Sequence, residues 1–345
     1  MLEAMHHEIV LQKNYLQGQK IETIYLGGGT PSLLDTDEIN RLLDAIHLAH
    51  DVATNAEITM EANPDDLVLS KVKALSSTGV NRLSIGIQSF REEDLKWMNR
   101  AHTAQEADYS VKAAQDHGFE NITIDLIYSI PGMKMLDWKK NLETAFALNV
   151  QHISAYGLTI EPKTYFGIQH KRGMLQEAGQ EESSNQFLLM VDEMKRHGFE
   201  QYEVSNFCKE GYESKHNSAY WKGAWYLGLG PSAHSYNGHS RQWNVANNNV
   251  YTQQIMSNKP KAQIEELTWH MRLNEYLMTR LRTKWGIDTQ KIYTEYSFDF
   301  EKEYADEIGT LIDEGKMQRN NTVLTLTLEG LLKADLIASY FFVTE

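Results

Sequence analysis

The residues best able to do chemistry in this sequence come in short stretches that end apolar runs. "IYLGGGTPSLL" (24–34) closes with Gly27, Gly28, Gly29 and Thr30. "EITMEANP" (57–64) delivers Glu61 and Asn63, "RLSIGIQSF" (82–90) delivers Gln88, and "NITIDLIYSIPG" (121–132) carries Asp125. "HISAYGLTIEP" (152–162) carries Thr159 and Glu161. Glycines without side chains suit a turn with positive φ or a ligand lying against the main chain. The set mixes carboxylates, an amide, hydroxyls and bare backbone. It suits a zwitterionic ligand with hydroxyls: glycine N–H groups and Thr30 for a carboxylate, Glu61 for a ribose diol or an ammonium. "GGGTPS" is neither G-x-G-x-x-G nor G-x-x-x-x-G-K-[ST], so dinucleotide and P-loop readings are weak. Paired-carboxylate hydrolysis by Glu61 and Asp125 stays open, because sequence does not give their separation.

These residues need elements that bring them together. The apolar runs read as strands at Glu22–Leu26, Glu57–Glu61, Arg82–Gln88, Asn121–Ile127 and His152–Leu158. Amphipathic helical patterns lie between them, several ending in Gly or Asn. Repeated βα units imply a parallel sheet with right-handed crossovers, and chemistry gathers at the C-terminal mouth of such sheets. Five units suggest part of a (β/α) barrel, with an open doubly wound sheet as the competing layout. Asp35 and Glu38 have capping-box spacing. Arg100 falls in a helical pattern. Beyond Phe199 the sequence turns aromatic and extended ("FEQYEVSNF", "YLGLGPSAHSY", "RQWNV"). After Pro260 it becomes helical, as in "IEELTWHMRLNEYLMTRLRT". It closes on a strand, turn, strand, helix pattern that reads as a small winged-helix-like α+β module.

The 345 residues carry 33 Lys+Arg and 47 Asp+Glu, a net charge of −14 with no basic stripe, which argues against nucleic-acid binding. No apolar run approaches the roughly 20 residues of a membrane helix, and the opening residues are not expected to be a signal peptide. A cytoplasmic protein, at most peripherally associated with membranes, is expected. Cys208 is the single cysteine, so the chain holds neither an internal disulfide nor the ligands of an iron–sulfur cluster. It is expected to be a small, partly buried residue.

In order, "YLGGGTPS", "EANPDD", "NRLSIGIQSF", "MNRAHT", "IDLIYSIPG", "YEVSNF" and "KHNSAYW" resemble the radical S-adenosylmethionine proteins related to oxygen-independent coproporphyrinogen III oxidase. His216-Asn217-Ser218-Ala219-Tyr220-Trp221 resembles the H-N-x-x-Y-W signature of the HemW-type heme chaperones within them. The resemblance spans nearly the whole chain. It implies a partial (β/α)6 TIM-like barrel lacking its first strand over 1–200, a β-rich extension with the signature over 201–262, and a HemN-type C-terminal domain over 263–345. It also implies S-adenosylmethionine at the mouth, with Gly28, Gly29 and Thr30 at the methionine end and Glu61 by the sugar or amino group. Gln88, Arg100 and Asp125 would complete the contacts. His216 is implied in heme handling, while His234 and His239 are expected to be packed or exposed. The family's C-x-x-x-C-x-x-C loop for a [4Fe–4S] cluster has no counterpart here. The sequence is therefore expected to be a truncated form, with a clusterless derivative as the alternative, and to lack radical activity as it stands. An unpaired sheet edge is expected at Glu22–Leu26. Three functions follow from the resemblance: a chaperone passing heme to respiratory proteins, an oxidase acting on coproporphyrinogen III in porphyrin biosynthesis, or a non-catalytic remnant.

Overall fold

The computed structural model describes residues 1–344. The chain divides into two compact units. One comprises Met1–Thr23, Asp37–Ala56 and the chain from Ser214 onward, and the other Ile24–Thr36 and Glu57–Glu213.

The central element is a seven-stranded sheet: β1 (Ile21–Leu26), β2 (Val52–Ala62), β3 (Arg82–Gln88), β4 (Asn121–Tyr128), β5 (His152–Gly157), β6 (Glu200–Glu203) and β7 (Asn206–Cys208). Its order is β1-β2-β3-β4-β5-β7-β6, so β1 is an edge, as expected. β2 to β5 pair in parallel, and β7 closes antiparallel on β5 with β6 beyond it. The segments 57–61, 82–88, 121–127 and 152–158 are thus strands, with ends shifted by a few residues.

Alternation along the strands explains both the core and the site. Ile58 and Met60 on β2, Leu83, Ile85 and Ile87 on β3, and Ile122, Ile124 and Leu126 on β4 are buried. They occupy one face, against helices such as Ala104–Asp116 and Met135–Ala147, whose Val111, Trp138 and Leu142 are also buried. The alternate positions form an unusually polar face: Glu57, Thr59 and Glu61; Arg82, Ser84, Gly86 and Gln88; Thr123 and Asp125; His152 and Ser154. Its lower layer is buried and partly paired, with Thr59 Oγ1 and His152 Nδ1 left without a hydrogen-bond partner among the described residues. Arg82 lies 3.9 Å from Glu57 and donates to the Thr123 hydroxyl, and His152 Nε2 is 2.7 Å from the Tyr202 hydroxyl.

In the other unit, the helix Leu2–Leu11 packs Ala4 against Tyr251 and Ile255 of the helix Asn248–Met256. β8 (His234–Tyr236), β9 (Ser240–Trp243) and β10 (Gln263–Glu266) form an antiparallel sheet in the order β10-β9-β8. The helical reading of "IEELTW" is corrected here: Gln263–Glu266 pairs with β9, and the helix begins at Trp269 behind a Thr268 cap. β11 (Ile287–Asp288), β12 (Met317–Asn320) and β13 (Val323–Leu326) form a third sheet in the order β11-β13-β12. Helices surround it, with Phe300, Ile308, Leu324 and Phe341 at their core, giving the expected winged-helix-like module.

Candidate functional site

The ends of β1 to β4 open on one cavity of about 230 Å³, lined by Gly29, Thr30, Glu61, Gln88, Arg100 and Asp125 together with Pro31, Ser32, Ala62, Asn63, Ser84 and Gly86. Six of the seven residues expected to contact S-adenosylmethionine line it. The seventh, Gly28, borders it and donates its N–H to Glu61 Oε2 at 3.2 Å.

Local chemistry builds this rim. β1 and β2 each run into a short 3-10 turn with proline at its start, Pro31–Leu33 and Pro64–Asp66. The Ser32 hydroxyl donates to Asp66 Oδ2 at 2.6 Å and ties the two turns together. The glycines serve two needs. Gly28 sits at φ +79°, which glycine adopts without strain. A Cβ on Gly27 would fall 2.6 Å from the Tyr25 ring and 2.9 Å from Glu61 Oε1. That gap lets the Tyr25 hydroxyl donate to Glu61 Oε1 at 2.8 Å, so both carboxylate oxygens are held.

Asp125 receives hydrogen bonds from Ser84 (3.4 Å) and Ser154. Burial pushes its carboxyl up to about 6. The nearby Glu61 charge adds to the rise, and the Ser154 bond and Arg82 oppose it. Burial and the Glu61 charge likewise push the Tyr25 hydroxyl up.

Arg100 is not on a helix, contrary to its sequence pattern. The preceding helix, Glu92–Trp97, stops in a Schellman motif: Asn99 takes φ +54°, Arg100 N donates to Leu95 O at 2.9 Å, and Asn99 N to Lys96 O at 3.1 Å. The reversal sends the guanidinium to the cavity, where it donates to Asn63 Oδ1 at 3.2 Å. Thr159 and Glu161 fall outside the site. β5 ends at Gly157, and both residues are exposed and absent from the lining. The fifth strand contributes Ser154 instead.

His216 lies in the other unit, on the helix Lys215–Trp221. Its Nδ1 is 2.8 Å from Thr23 Oγ1 and its Nε2 is 3.1 Å from the Tyr220 hydroxyl, whose ring meets the imidazole edge-on. His234 is exposed and stacks on Trp243, and His239 Nδ1 is 3.3 Å from Arg272.

Comparison with known proteins gives this arrangement a context. The Radical SAM superfamily profile matches residues 7–145, and the HemN C-terminal domain profile matches residues 267–332. The heme chaperone HemW of Bacillus subtilis is 32% identical over 333 residues, 96% of this chain and 88% of that protein. That of Lactococcus lactis is 33% identical over 329 residues, covering 95% and 86%. The chain belongs to the HemW heme chaperone family of the radical S-adenosylmethionine superfamily. The solved coproporphyrinogen III oxidase (HemN) of Escherichia coli superimposes with a TM-score of 0.84 over 99% of this chain and 82% of that one. At 21% identity, that likeness establishes a shared fold, the partial (β/α) barrel.

The superfamily implies S-adenosylmethionine and a [4Fe–4S] cluster. The cavity fits the first: two carboxylates, one guanidinium, hydroxyls and main-chain N–H groups converge on it, and the space beside Gly29 is open. The second needs several thiolates. Cys208 is buried in β7, and no group of three or more His, Cys, Asp or Glu among the described residues could hold a metal ion. The residues of this chain do not fit a cluster.

Proposed function

We propose that this protein is a heme chaperone that binds S-adenosylmethionine in the cavity at the ends of β1 to β4 and heme through the stretch around His216. The observation that carries the chaperone reading is identity to proteins named heme chaperone along almost the full chain. The oxidase reading is set aside, because the likeness to that enzyme speaks for fold alone.

In the cavity, Thr30 and the main chain of Gly28 and Gly29 take the carboxylate end of the ligand. Glu61, fixed by Tyr25 and Gly28, accepts from the ribose hydroxyls or the ammonium. Asp125 and Glu61 supply negative charge for the sulfonium, and Gln88 and Arg100 close the remaining side. S-adenosylmethionine supplies a polarised sulfonium that a one-electron donor can cleave. The donor set of this chain supplies binding and orientation.

For heme, His216 offers Nε2 as an axial ligand once it leaves the Tyr220 hydroxyl, and Tyr220, Tyr226 and Tyr236 supply aromatic surface. Heme-accepting respiratory proteins are the partners this reading expects. Hemin titrated into the wild type produces a saturable Soret shift, and His216→Ala weakens it about tenfold, the loss of one good ligand contact. Identical titrations would remove His216 from the account.

A further inference from the structure

Gln88 ends β3 at φ +68°, a region that residues other than glycine enter only with strain. The Ser89 N–H donates to the Ile87 carbonyl at 2.9 Å, closing a ring around Gln88. A positive φ inside such a ring is the rare, strained form of the γ-turn. The β3–β4 register also shifts between Ile85 and Gln88, the device by which a strand re-aims a side chain. Gly86 makes room for the result, since a Cβ there would lie 2.9 Å from Gln88 Nε2 and 3.5 Å from Arg100 Nη2.

Strain of this kind persists where surrounding contacts over-determine it, and here the turn is clamped on both sides. The buried His102 donates from Nε2 to the Ile87 carbonyl at 2.9 Å, and its Nδ1 lies 4.0 Å from Asp65 Oδ1. On the other side, the buried Ser89 hydroxyl donates to Asp94 Oδ2 at 2.7 Å and accepts from Asn141 Nδ2 at 3.0 Å. Asn141 Oδ1 takes the next N–H, that of Phe90, at 2.8 Å. These contacts come from three separate segments: the turn before Thr103, the helix Glu92–Trp97 and the helix Met135–Ala147. None of the four clamping residues lines the cavity.

We infer that His102 and the Ser89–Asp94–Asn141 group are positioning residues that hold Gln88 in its γ-turn and keep its amide presented to the cavity ligand. The inference rests on the reading of that cavity as an S-adenosylmethionine site.

The test is a double-mutant cycle on the full chain, read by calorimetric titration with S-adenosylmethionine and by thermal unfolding without ligand. His102→Leu weakens binding about tenfold in the otherwise natural chain, within the coupling expected of contacting residues. Gln88→Gly also weakens binding, because the amide is gone. It raises the unliganded midpoint by about 2 °C or more, because glycine takes φ +68° without strain. Adding His102→Leu to Gln88→Gly costs no further affinity. Equal losses in both backgrounds would mean that His102 acts on the fold alone, and would overturn the inference. A lower midpoint for Gln88→Gly would overturn it as well. A wild-type chain that does not bind S-adenosylmethionine refutes the ligand reading instead. In that case the thermal data still decide: the clamp requires His102→Leu to lower the midpoint less in the Gln88→Gly background than in the natural one.

Discussion

Asp125 and Glu61 bring two carboxylates to one cavity with different supports. Glu61 is held by a tyrosine hydroxyl and a main-chain N–H, and Asp125 by two serine hydroxyls. Burial raises Asp125 from 3.8 to about 6. Below about pH 4 both the folded and unfolded chains hold this proton. Between 4 and 6 only the folded chain does, so stability falls as pH rises through that window and the cost is fully present above 6. A sulfonium ligand prefers the ionised form. S-adenosylmethionine affinity therefore rises from pH 5 to pH 7, by up to about tenfold per unit below the free-protein value. Titration across that range in wild type and Asp125→Asn checks this, since the variant binds weakly with a flattened step. The same substitution raises stability at pH 7.5 by about 1 kcal/mol, as removal of a binding-site charge commonly does. Gln88 was legible because it ends an apolar run, and Asp125 because it interrupts one. Tyr25 was not, because nothing in an aromatic strand residue announces that its hydroxyl fixes a carboxylate 36 positions away. Gly86 carried a signal that was passed over: an isolated glycine inside a strand marks a close approach.

At the scale of elements, alternation is the organising fact. One face of β2 to β4 is aliphatic, and the polar face carries the cavity above a buried Arg82–Glu57–Thr123 layer. The strand segments could be read from their apolar runs. The lower polar layer was missed because polar residues inside a run look like interruptions until registry stacks them. Arg100 was misread because it falls in a helical pattern, whereas Asn99 ends one helix and Thr103 caps the next. β10 was misread because a two-stranded partner outweighs the local preference of Gln263–Glu266. A separate element-scale prediction concerns the N-terminal helix. Glu8, only 1% exposed, accepts from Gly230 N (2.8 Å), Asn244 Nδ2 (2.6 Å) and the Tyr251 hydroxyl (2.6 Å). Glu8→Ala removes the acceptor of three buried donors, of which Asn244 Nδ2 keeps a second bond, to the Gly230 carbonyl, and lowers stability by about 3 kcal/mol or more in urea unfolding. A loss below about 1 kcal/mol would show that these bonds do not anchor the helix.

For the whole molecule, two bodies of chemistry share one chain: a polar cavity in one unit and a histidine–tyrosine cluster on Lys215–Trp221 in the other. Among the described residues no helix is long and apolar enough to cross a membrane. The fold class could be read from the sequence because βα repetition and the motif order both point to it. The lone cysteine was expected to be a small, partly buried residue, and Cys208 is buried. Whether this cavity has kept its ligand is the question on which the account turns. Isothermal titration of the wild-type protein with S-adenosylmethionine answers it most directly. The account predicts one saturable site, weakened at least about tenfold by Glu61→Gln, the loss of a charged acceptor, and weakened by Gly27→Ala, which pushes Tyr25 off that carboxylate. Heat of dilution alone, or an isotherm that neither substitution changes, would contradict it.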